Sequence, residues 1–173
     1  MTILWLGLGG LALLVVAVVV IGLLMPERYA GRSHLVYAST PEDVWEALLD
    51  YNSHPMTGKM MKSAQPQPAK QGLPVWTEDM CHGELVTVTT VEADSARHMV
   101  REMTSKTIPM TSRWEYTLEP SGEGWRLTID GETYIRRGTW HVPLFRVMMV
   151  LGGGVKKGLD IQMNMVAATL DIS

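Results

Sequence analysis

Residues 142–170 constrain the fold more than any other stretch, because their pattern predicts a long helix that needs a large partner. Apolar residues recur there at steps of three and four, which places them on one helical face. At about 1.5 Å per residue, the helix would run about 40 Å, the width of a small domain. A broad apolar surface must therefore lie against it. The face consists of Leu144, Met148, Leu151, Val155, Leu159, Met163, Val166 and Leu170.

Three consecutive glycines fall in the middle of this predicted helix. Each Gly costs about 1 kcal/mol relative to Ala in a helix interior, so three together predict a kink, a bend or a break. We interpret Gly152, Gly153 and Gly154 as a hinge, through which a bound ligand would pass. We also expect Ala at these positions to stabilise the helix. The segment before them is apolar nearly all round, with Arg146 its only charge. We interpret it as a face for a membrane or a partner, formed by Leu144, Phe145 and Met149.

The other end of the chain is an apolar segment without charged residues, residues 3–25. As a helix it would span about 35 Å, and the hydrocarbon core of a bilayer is about 30 Å thick. A cleaved signal peptide is the alternative, but its shorter apolar region follows a basic start that this chain lacks. The sequence favours a transmembrane anchor over residues 1–26 and a separate domain over residues 27–173. Because Arg28 and Arg32 follow the span, we expect an inner-membrane protein with a cytoplasmic domain.

Composition and motifs narrow the range of partners. The net charge of −3 belongs entirely to the part after the apolar segment, and no basic run suggests nucleic acid. Cys81 is the single cysteine, and the five histidines form no close pair. No phosphate-binding loop and no nucleophile motif occurs, so we expect neither a metal nor a cofactor. Thirteen Met and one Phe favour an irregular core or an adaptable apolar pocket.

The middle of the chain predicts one strand, then a short helix, then five more strands. Thr40 is the predicted N-cap of a helix that begins at Pro41. Residues 54–58 predict a turn or a short helix, and residues 65–72, with two prolines, predict a surface loop. Short connections between the predicted strands indicate an antiparallel meander. These strands cover residues 31–38, 73–80, 84–91, 97–103, 111–118 and 125–135.

Alternation along these strands predicts which side chains face the closing helix. Trp114 and Tyr116 share a face with apolar Leu118, whereas most strand charges, Glu78 and Arg101 among them, should face solvent. An inward Tyr116 or carboxylate would supply acid–base chemistry. Together with the striped helix, these positions would line the ligand cavity that the family resemblance given next implies. Its candidate residues are Trp114, Tyr116, Leu127, Ile129, Met148, Leu151, Val155, Leu159 and Met163.

The order of these elements resembles the START-like helix-grip superfamily, whose bacterial members include SRPBCC and polyketide cyclase/dehydrase-like proteins. The resemblance is carried by residues 39–49, by residues 114–120 and by the helix after Pro143, and it covers about residues 30–170. It implies an α+β fold, in which a curved antiparallel sheet wraps around a long C-terminal helix with a deep apolar cavity between them. Members of this superfamily bind lipids, sterols, polyketides or other hydrophobic molecules, and a minority catalyse reactions on them.

Three functions are consistent with these expectations. The first is a membrane-anchored protein that binds a hydrophobic small molecule or lipid, which enters from the bilayer through a mouth near residues 144–151. The second is a cyclase or dehydratase acting on a polyketide or aromatic substrate, which requires polar side chains inside the cavity. The third is an accessory subunit of a larger membrane complex, docked through the anchor and the face around Phe145.

Overall fold

The computed structural model describes residues 2–50, 61–81, 83–94, 96–122, 124–138 and 141–172, which contain one antiparallel sheet and four helices. The strand order is β1-β7-β6-β5-β4-β3-β2, so β1 and β2 are the two edges. The prediction of an antiparallel α+β fold is confirmed. In chain order the elements are α1 (Thr2–Leu24), β1 (Arg28–Tyr37), α2 (Pro41–Leu49), β2 (Met61–Lys70), β3 (Leu73–Met80), β4 (Leu85–Asp94), β5 (His98–Ser105), β6 (Met110–Ser121), β7 (Gly124–Ile135), α3 (Val142–Leu151) and α4 (Gly154–Ile172).

Helix α2 begins where its capping residues predict. The Thr40 hydroxyl accepts the backbone N–H of Asp43 at 3.2 Å, and the Asp43 carboxylate accepts the backbone N–H of Thr40 at 3.2 Å. Val44 and Leu48 are buried and join the core beneath α4. The cap and start of α2 are therefore confirmed, whereas the turn or helix predicted over residues 54–58 lies outside the described residues.

The prediction of a surface loop over residues 65–72 is wrong. Most of that segment belongs to β2, which pairs antiparallel with β3 from Met61 to Lys70. Pro66 and Pro68 are tolerated because β2 is an edge strand, so one side of its backbone has no strand to bond. The strand also lacks an apolar period, since most of its side chains are exposed.

The closing segment is two helices rather than one. Helix α3 ends at Leu151 and α4 begins at Gly154, which confirms the break predicted at the glycines. The φ angles of Gly153 and Gly154 are +99° and +64°. Side chains with a Cβ rarely adopt such angles, so the expectation that Ala would stabilise the helix here is wrong.

The break also divides the apolar stripe into two parts with different surroundings. On α4, Val155, Leu159, Met163 and Val166 are buried in the core with Leu127 and Ile129 of β7. On α3, Leu144, Met148 and Leu151 are exposed. The prediction that these residues line one continuous helical face is therefore wrong, because the glycine break rotates α3 relative to α4.

Helix α4 approaches the sheet most closely where β1 and β7 pair at two glycines. A Cβ on Gly31 would lie 2.9 Å from the Lys156 backbone nitrogen, and one on Gly131 would lie 2.9 Å from Leu159 Cδ2. Farther along β1, the Tyr37 hydroxyl donates to the Met163 carbonyl at 2.9 Å. These contacts hold α4 across the concave face of the sheet.

Helix α1 contacts α3 through its last turns. A Cβ on buried Gly22 would overlap the Pro143 backbone, so a larger residue would separate the two helices. The Arg146 side chain is 1% exposed and donates hydrogen bonds to the carbonyls of Ile135 at 2.6 Å and Met25 at 3.2 Å. A cation is favoured there because the C-terminal end of a helix carries partial negative charge. Among the residues that the structure describes fully, no helix is both long enough and apolar enough to cross a membrane.

Candidate ligand-binding site

A cavity of about 230 Å³ lies between the strands β2 to β6 and helix α4. Most of its wall is apolar, and four thioether side chains and two indoles dominate it. Such a lining suits a hydrophobic ligand, because Met side chains adapt to irregular shapes. The four methionines are Met61, Met80, Met103 and Met165, and the indoles are Trp76 and Trp114. The polar groups in the wall are Glu78, Arg101, Tyr116 and Gln162.

Arg101 is the buried charge at the centre of this site. Its side chain is 2% exposed, and its guanidinium carbon lies 5.0 Å from the ring centroids of both Trp76 and Tyr116. Its Nη2 donates to the Leu48 carbonyl at 3.1 Å, which ties the guanidinium to the end of α2. A cation held against two desolvated rings gains about 2 kcal/mol or more from each good contact. Arg101 is therefore fixed in place within an apolar wall.

Glu78 and Tyr116 flank this guanidinium with opposite hydrogen-bonding capacity. The Trp76 indole N–H donates to Glu78 Oε1 at 3.0 Å. Burial raises the pKa of the Glu78 carboxyl, and the Trp76 hydrogen bond and the Arg101 charge oppose that rise. Burial likewise raises the pKa of the Tyr116 phenol, against the charge and hydrogen bond of Arg101. Tyr116 is thus a neutral O–H group at pH 7, next to a cation and a carboxyl group.

Trp114 adds a polar group that the described residues leave unpaired. Its Nε1 atom is buried and has no hydrogen-bond partner within the part of the chain described. A buried donor without a partner costs about 1–3 kcal/mol, so an acceptor on a ligand would relieve that cost. Gly158 of α4 keeps the space beside this indole open, since a Cβ there would lie 3.8 Å from Trp114 Cζ2.

The structure places two of the predicted cavity residues at this site and the others elsewhere. Trp114 and Tyr116 line the cavity. Five others, Leu127, Ile129, Val155, Leu159 and Met163, are packed in the buried core instead. Met148 and Leu151 were also predicted to line it, but they are 61% and 82% exposed on α3. Their assignment to the cavity is wrong, because the glycine break turns this part of the stripe outward.

The predicted entrance is also in the wrong place. The α4 residues that line the cavity begin at Gly158, and neither α3 nor the hinge Gly152–Gly154 contributes to its wall. Leu144 is exposed, whereas Phe145 is half-buried and Met149 packs against the core cluster. A ligand path through the glycines, or a mouth beside residues 144–151, is therefore not supported by the geometry.

Sequence reasoning missed Glu78 and Arg101 by assigning them to the solvent face. Glu78 lies between Trp76 and Met80 at spacings of two, and Arg101 lies between Met99 and Met103 in the same way. In a strand, residues two apart share a face, so a charge between two large apolar residues points inward with them. The neighbouring strand charges behave as expected, since Glu102 and Arg113 form an exposed ion pair at 3.0 Å.

No metal site is formed by the described side chains. Within the part of the chain that the structure describes, no three His, Cys, Asp or Glu residues come together to hold an ion. The polar groups of the cavity are instead one guanidinium, one carboxyl, one phenol and one amide. Such a set can orient a carbonyl or anionic oxygen and can move a proton, with hydrophobic contacts supplying the remaining affinity.

A seven-stranded antiparallel sheet closed by a C-terminal helix, with a cavity between them, defines the helix-grip class of proteins. The family model described as polyketide cyclase / dehydrase and lipid transport matches residues 34–170, and the chain belongs to this family. A comparison with curated proteins found no match.

Solved structures support the fold. The ZhuI aromatase/cyclase from Streptomyces sp. R1128 superposes with a TM-score of 0.64 and 14% identity, covering 80% of this chain and 91% of that chain. A START superfamily protein from Mycobacterium smegmatis superposes with a TM-score of 0.61 and 12% identity, covering 83% of this chain and 99% of that chain. Norcoclaurine synthase from Thalictrum flavum superposes with a TM-score of 0.58 and 10% identity, covering 83% of this chain and 95% of that chain. At such identities the similarity concerns the fold alone.

Proposed function

We propose that this protein binds a hydrophobic small molecule in the cavity beneath α4, with Arg101 reading one carbonyl or anionic oxygen of that molecule. The observation that carries the proposal is a buried guanidinium in a wall made mostly of Met and Trp side chains. The apolar wall favours ligand burial, and the charged centre adds orientation. The family description, which names both cyclases and lipid transport, agrees with a hydrophobic ligand.

Arg101 suits this role because its position is already organised before a ligand arrives. The Trp76 and Tyr116 rings and the Leu48 carbonyl hold the guanidinium, so binding a ligand oxygen requires little further ordering. Glu78 lies close to Arg101, since the Arg101 charge lowers the Glu78 pKa, and an ionised Glu78 reduces the net charge of the pair. A ligand with one polar group and an apolar body fits this combination better than a polyanion.

Native mass spectrometry of the full chain in detergent tests the proposal. The probes are 2-naphthoate and the uncharged 2-naphthamide, which share one aromatic body and differ in the oxygen group. We expect the unmodified protein to bind both and to prefer the anion. Arg101→Met should remove the preference, because Met fills similar space without a charge. Gly158→Leu should reduce binding of both probes, because the new side chain occupies the space beside Trp114.

The matched control for Gly158→Leu is Lys157→Leu, which places the same side chain on an exposed neighbouring position. That variant should bind both probes as the unmodified protein does. Failure of the unmodified protein to retain either probe would contradict the proposal, as would undiminished binding by Gly158→Leu. Masses that co-purify with the unmodified protein and are lost in Gly158→Leu would identify the natural ligand.

Catalysis is a second candidate function, favoured by the inward carboxyl group of Glu78. In that case Glu78 would take a proton from the carbon next to a ligand carbonyl, and the electron pair would move to the carbonyl oxygen. Arg101 and the Tyr116 hydroxyl would stabilise the resulting enolate oxygen. This is the chemistry of a cyclase or dehydratase acting on a polyketide or aromatic ketone.

Deuterium exchange measures that step directly. In D₂O, the methyl protons of 2-acetylnaphthalene should exchange faster with the full chain than with the Glu78→Gln variant, as followed by NMR. Glu102→Gln is the control, because that carboxylate lies in an exposed ion pair on the opposite face. Equal exchange rates in the presence and absence of protein would leave binding as the only function of the site.

The proposal also assigns α1 to the membrane, with the domain on the cytoplasmic side. Support comes from the sequence of residues 3–25, which contains no charged residue, and from the exposed Leu and Val side chains in the described part of α1. The full chain should float with vesicles and resist extraction by carbonate. Cys81, the single cysteine, should react with a membrane-impermeant maleimide only after spheroplasts are permeabilised. Reaction in intact spheroplasts would place the domain on the other side.

A further inference from the structure

We infer that the outer face of α3 is a second membrane-contact surface, which rests on the acyl boundary of the bilayer beside α1. This inference rests on the proposed membrane location of α1. The outer face is defined here as Leu144, Met148 and Leu151, three exposed apolar residues at helical spacing. We infer that a lipid surface covers this face, because α3 does not line the ligand cavity.

Helix α3 buries its only charge, together with Val142 and Pro143, and it exposes several large apolar side chains, which is unusual for a helix on a water-facing surface. The single charge of α3, Arg146, is 1% exposed, whereas Met148 and Leu151 are 61% and 82% exposed. A surface helix of a soluble domain buries its apolar stripe and exposes its charges. A helix that buries its charge and exposes large apolar side chains suits a medium that accepts them, such as the boundary between lipid headgroups and acyl chains.

The contact between α1 and α3 fixes how this face lies relative to the anchor. Gly22 meets the Pro143 backbone, and Arg146 donates to the Met25 carbonyl at the end of α1. Val18 and Val19 are also half-buried, whereas residues 12–17 of α1 are exposed. Helix α3 therefore lies beside the last turns of α1, and both helices expose apolar residues.

Charges around this junction match a lipid headgroup layer. Arg28 and Arg137 are each 68% exposed, and Arg136 is exposed beside them. Glu27, which pairs with Arg137 at 2.9 Å, marks the point where the chain leaves α1. Arg28 pairs with Glu132 and Arg137 pairs with Glu27, so these five residues carry one positive charge in excess near the apolar face, a balance that is compatible with contact to anionic lipids.

Lipid quenching in vesicles tests the contact with the full chain. In a Cys81→Ser background, single cysteines at Met148, Leu14 and Glu119 are labelled with the fluorophore NBD. The proteins are reconstituted in phosphatidylcholine–phosphatidylglycerol vesicles with or without brominated acyl chains. We expect quenching at Met148→Cys to approach that at Leu14→Cys and to exceed that at Glu119→Cys several-fold. Glu119 is exposed near the opposite end of the sheet, so it is the water-facing reference.

The three positions separate failure of this inference from failure of the anchor. Quenching at Leu14→Cys without quenching at Met148→Cys would keep the anchor and overturn the contact of α3 with lipid. Absence of quenching at both positions would overturn the anchor as well. Shielding of the NBD label from brominated lipid, together with a disulfide between two copies of unlabelled Met148→Cys after oxidation with copper–phenanthroline in vesicles, would assign the face to a second copy of the chain and would likewise overturn the inference.

Discussion

Helices α3 and α4 follow one another in the chain, yet α3 buries a charged side chain and exposes several large apolar residues, whereas α4 buries apolar residues. Helix α4 turns Val155, Leu159 and Val166 into the core. Helix α3 turns Arg146 inward and leaves Leu151 82% exposed. The two helices are separated by only Gly152 and Gly153, and α4 begins at Gly154 with a positive φ.

The difference follows from the surfaces that the two helices cover. Helix α4 lies on the concave face of the sheet, whose inward residues Met99, Leu127 and Ile129 are apolar. At Arg146, helix α3 meets backbone carbonyls, those of Met25 and Ile135, which favour a cation. Burial therefore favours a hydrophobic side chain in the core beneath α4 and a hydrogen-bond donor at Arg146 on α3.

The largest expected contrast comes from making the same substitution on the two helices. Leu159 is fully buried, so Leu159→Ala should lower the free energy of unfolding by about 2–5 kcal/mol. Leu151→Ala, which removes the same atoms from an exposed position, should change it by less than about 0.5 kcal/mol. Denaturant unfolding of the full chain in detergent, followed by Trp fluorescence, measures both. Similar losses for the two variants would mean that the face of α3 is buried in detergent-solubilised protein.

Removing the buried cation is expected to have the next largest effect. Arg146→Met keeps an unbranched side chain but leaves the carbonyls of Ile135 and Met25 without their donor, a loss of about 1.5–3 kcal/mol. Hydrogen exchange should rise for the amides near the junction of α1 and β1. The matched control is Arg136→Met, because the Arg136 side chain is exposed. Unchanged exchange in Arg146→Met would show that α3 stays attached to α1 without this guanidinium.

Glycine substitutions at the break and within α4 should have opposite effects on stability. At Gly154 no neighbouring atom would obstruct a Cβ, but φ is +64°, so Gly154→Ala should cost about 1 kcal/mol through backbone strain alone. Gly158 lies within α4, where Ala should gain up to about 1 kcal/mol from helix propensity. Thermal unfolding of the two variants measures the difference. Stabilisation by both would indicate that α3 and α4 can join into one continuous helix.

Much of this fold could be predicted because its signals are local. The Thr40 cap, the strand alternation and the effect of three glycines on a helix each depend on residues close together in the chain. The phase of α3 could not be predicted, since it follows from the φ values of Gly153 and Gly154, which Gly residues leave open. Strand β2 was missed because an edge strand needs neither an apolar period nor a full set of N–H donors.

The site was predicted only in part, for a related reason. Trp114 and Tyr116 could be identified because apolar neighbours share their face. Arg101 was assigned to solvent because charged residues are seldom buried without a partner, and its ring contacts and carbonyl acceptor come from β3, β6 and α2. Contacts between residues so far apart in the chain are not visible in a local pattern. The inward alternation of Met99, Arg101 and Met103 was the available signal.

The smallest expected effect concerns the charged contact between α4 and the edge of the sheet. Asp160 accepts hydrogen bonds from Lys156 and from Ser33 of β1, each at 2.6 Å. The Lys156 and Ser33 hydrogen bonds hold the pKa of Asp160 below its usual value of 3.8. A lowered pKa in the folded state means that the stabilisation is fully present above about pH 4 and is lost as the pH falls through the folded value.

Asp160→Asn should therefore be slightly less stable than the unmodified protein at pH 7, and the two stabilities should converge below about pH 4. Because α3 carries no acidic residue, Leu151→Ala should leave this pH dependence unchanged. Denaturant unfolding of all three proteins between pH 3 and pH 7 measures it, and a constant difference between Asp160→Asn and the unmodified protein across that range would show that Asp160 acts through packing rather than through its charge.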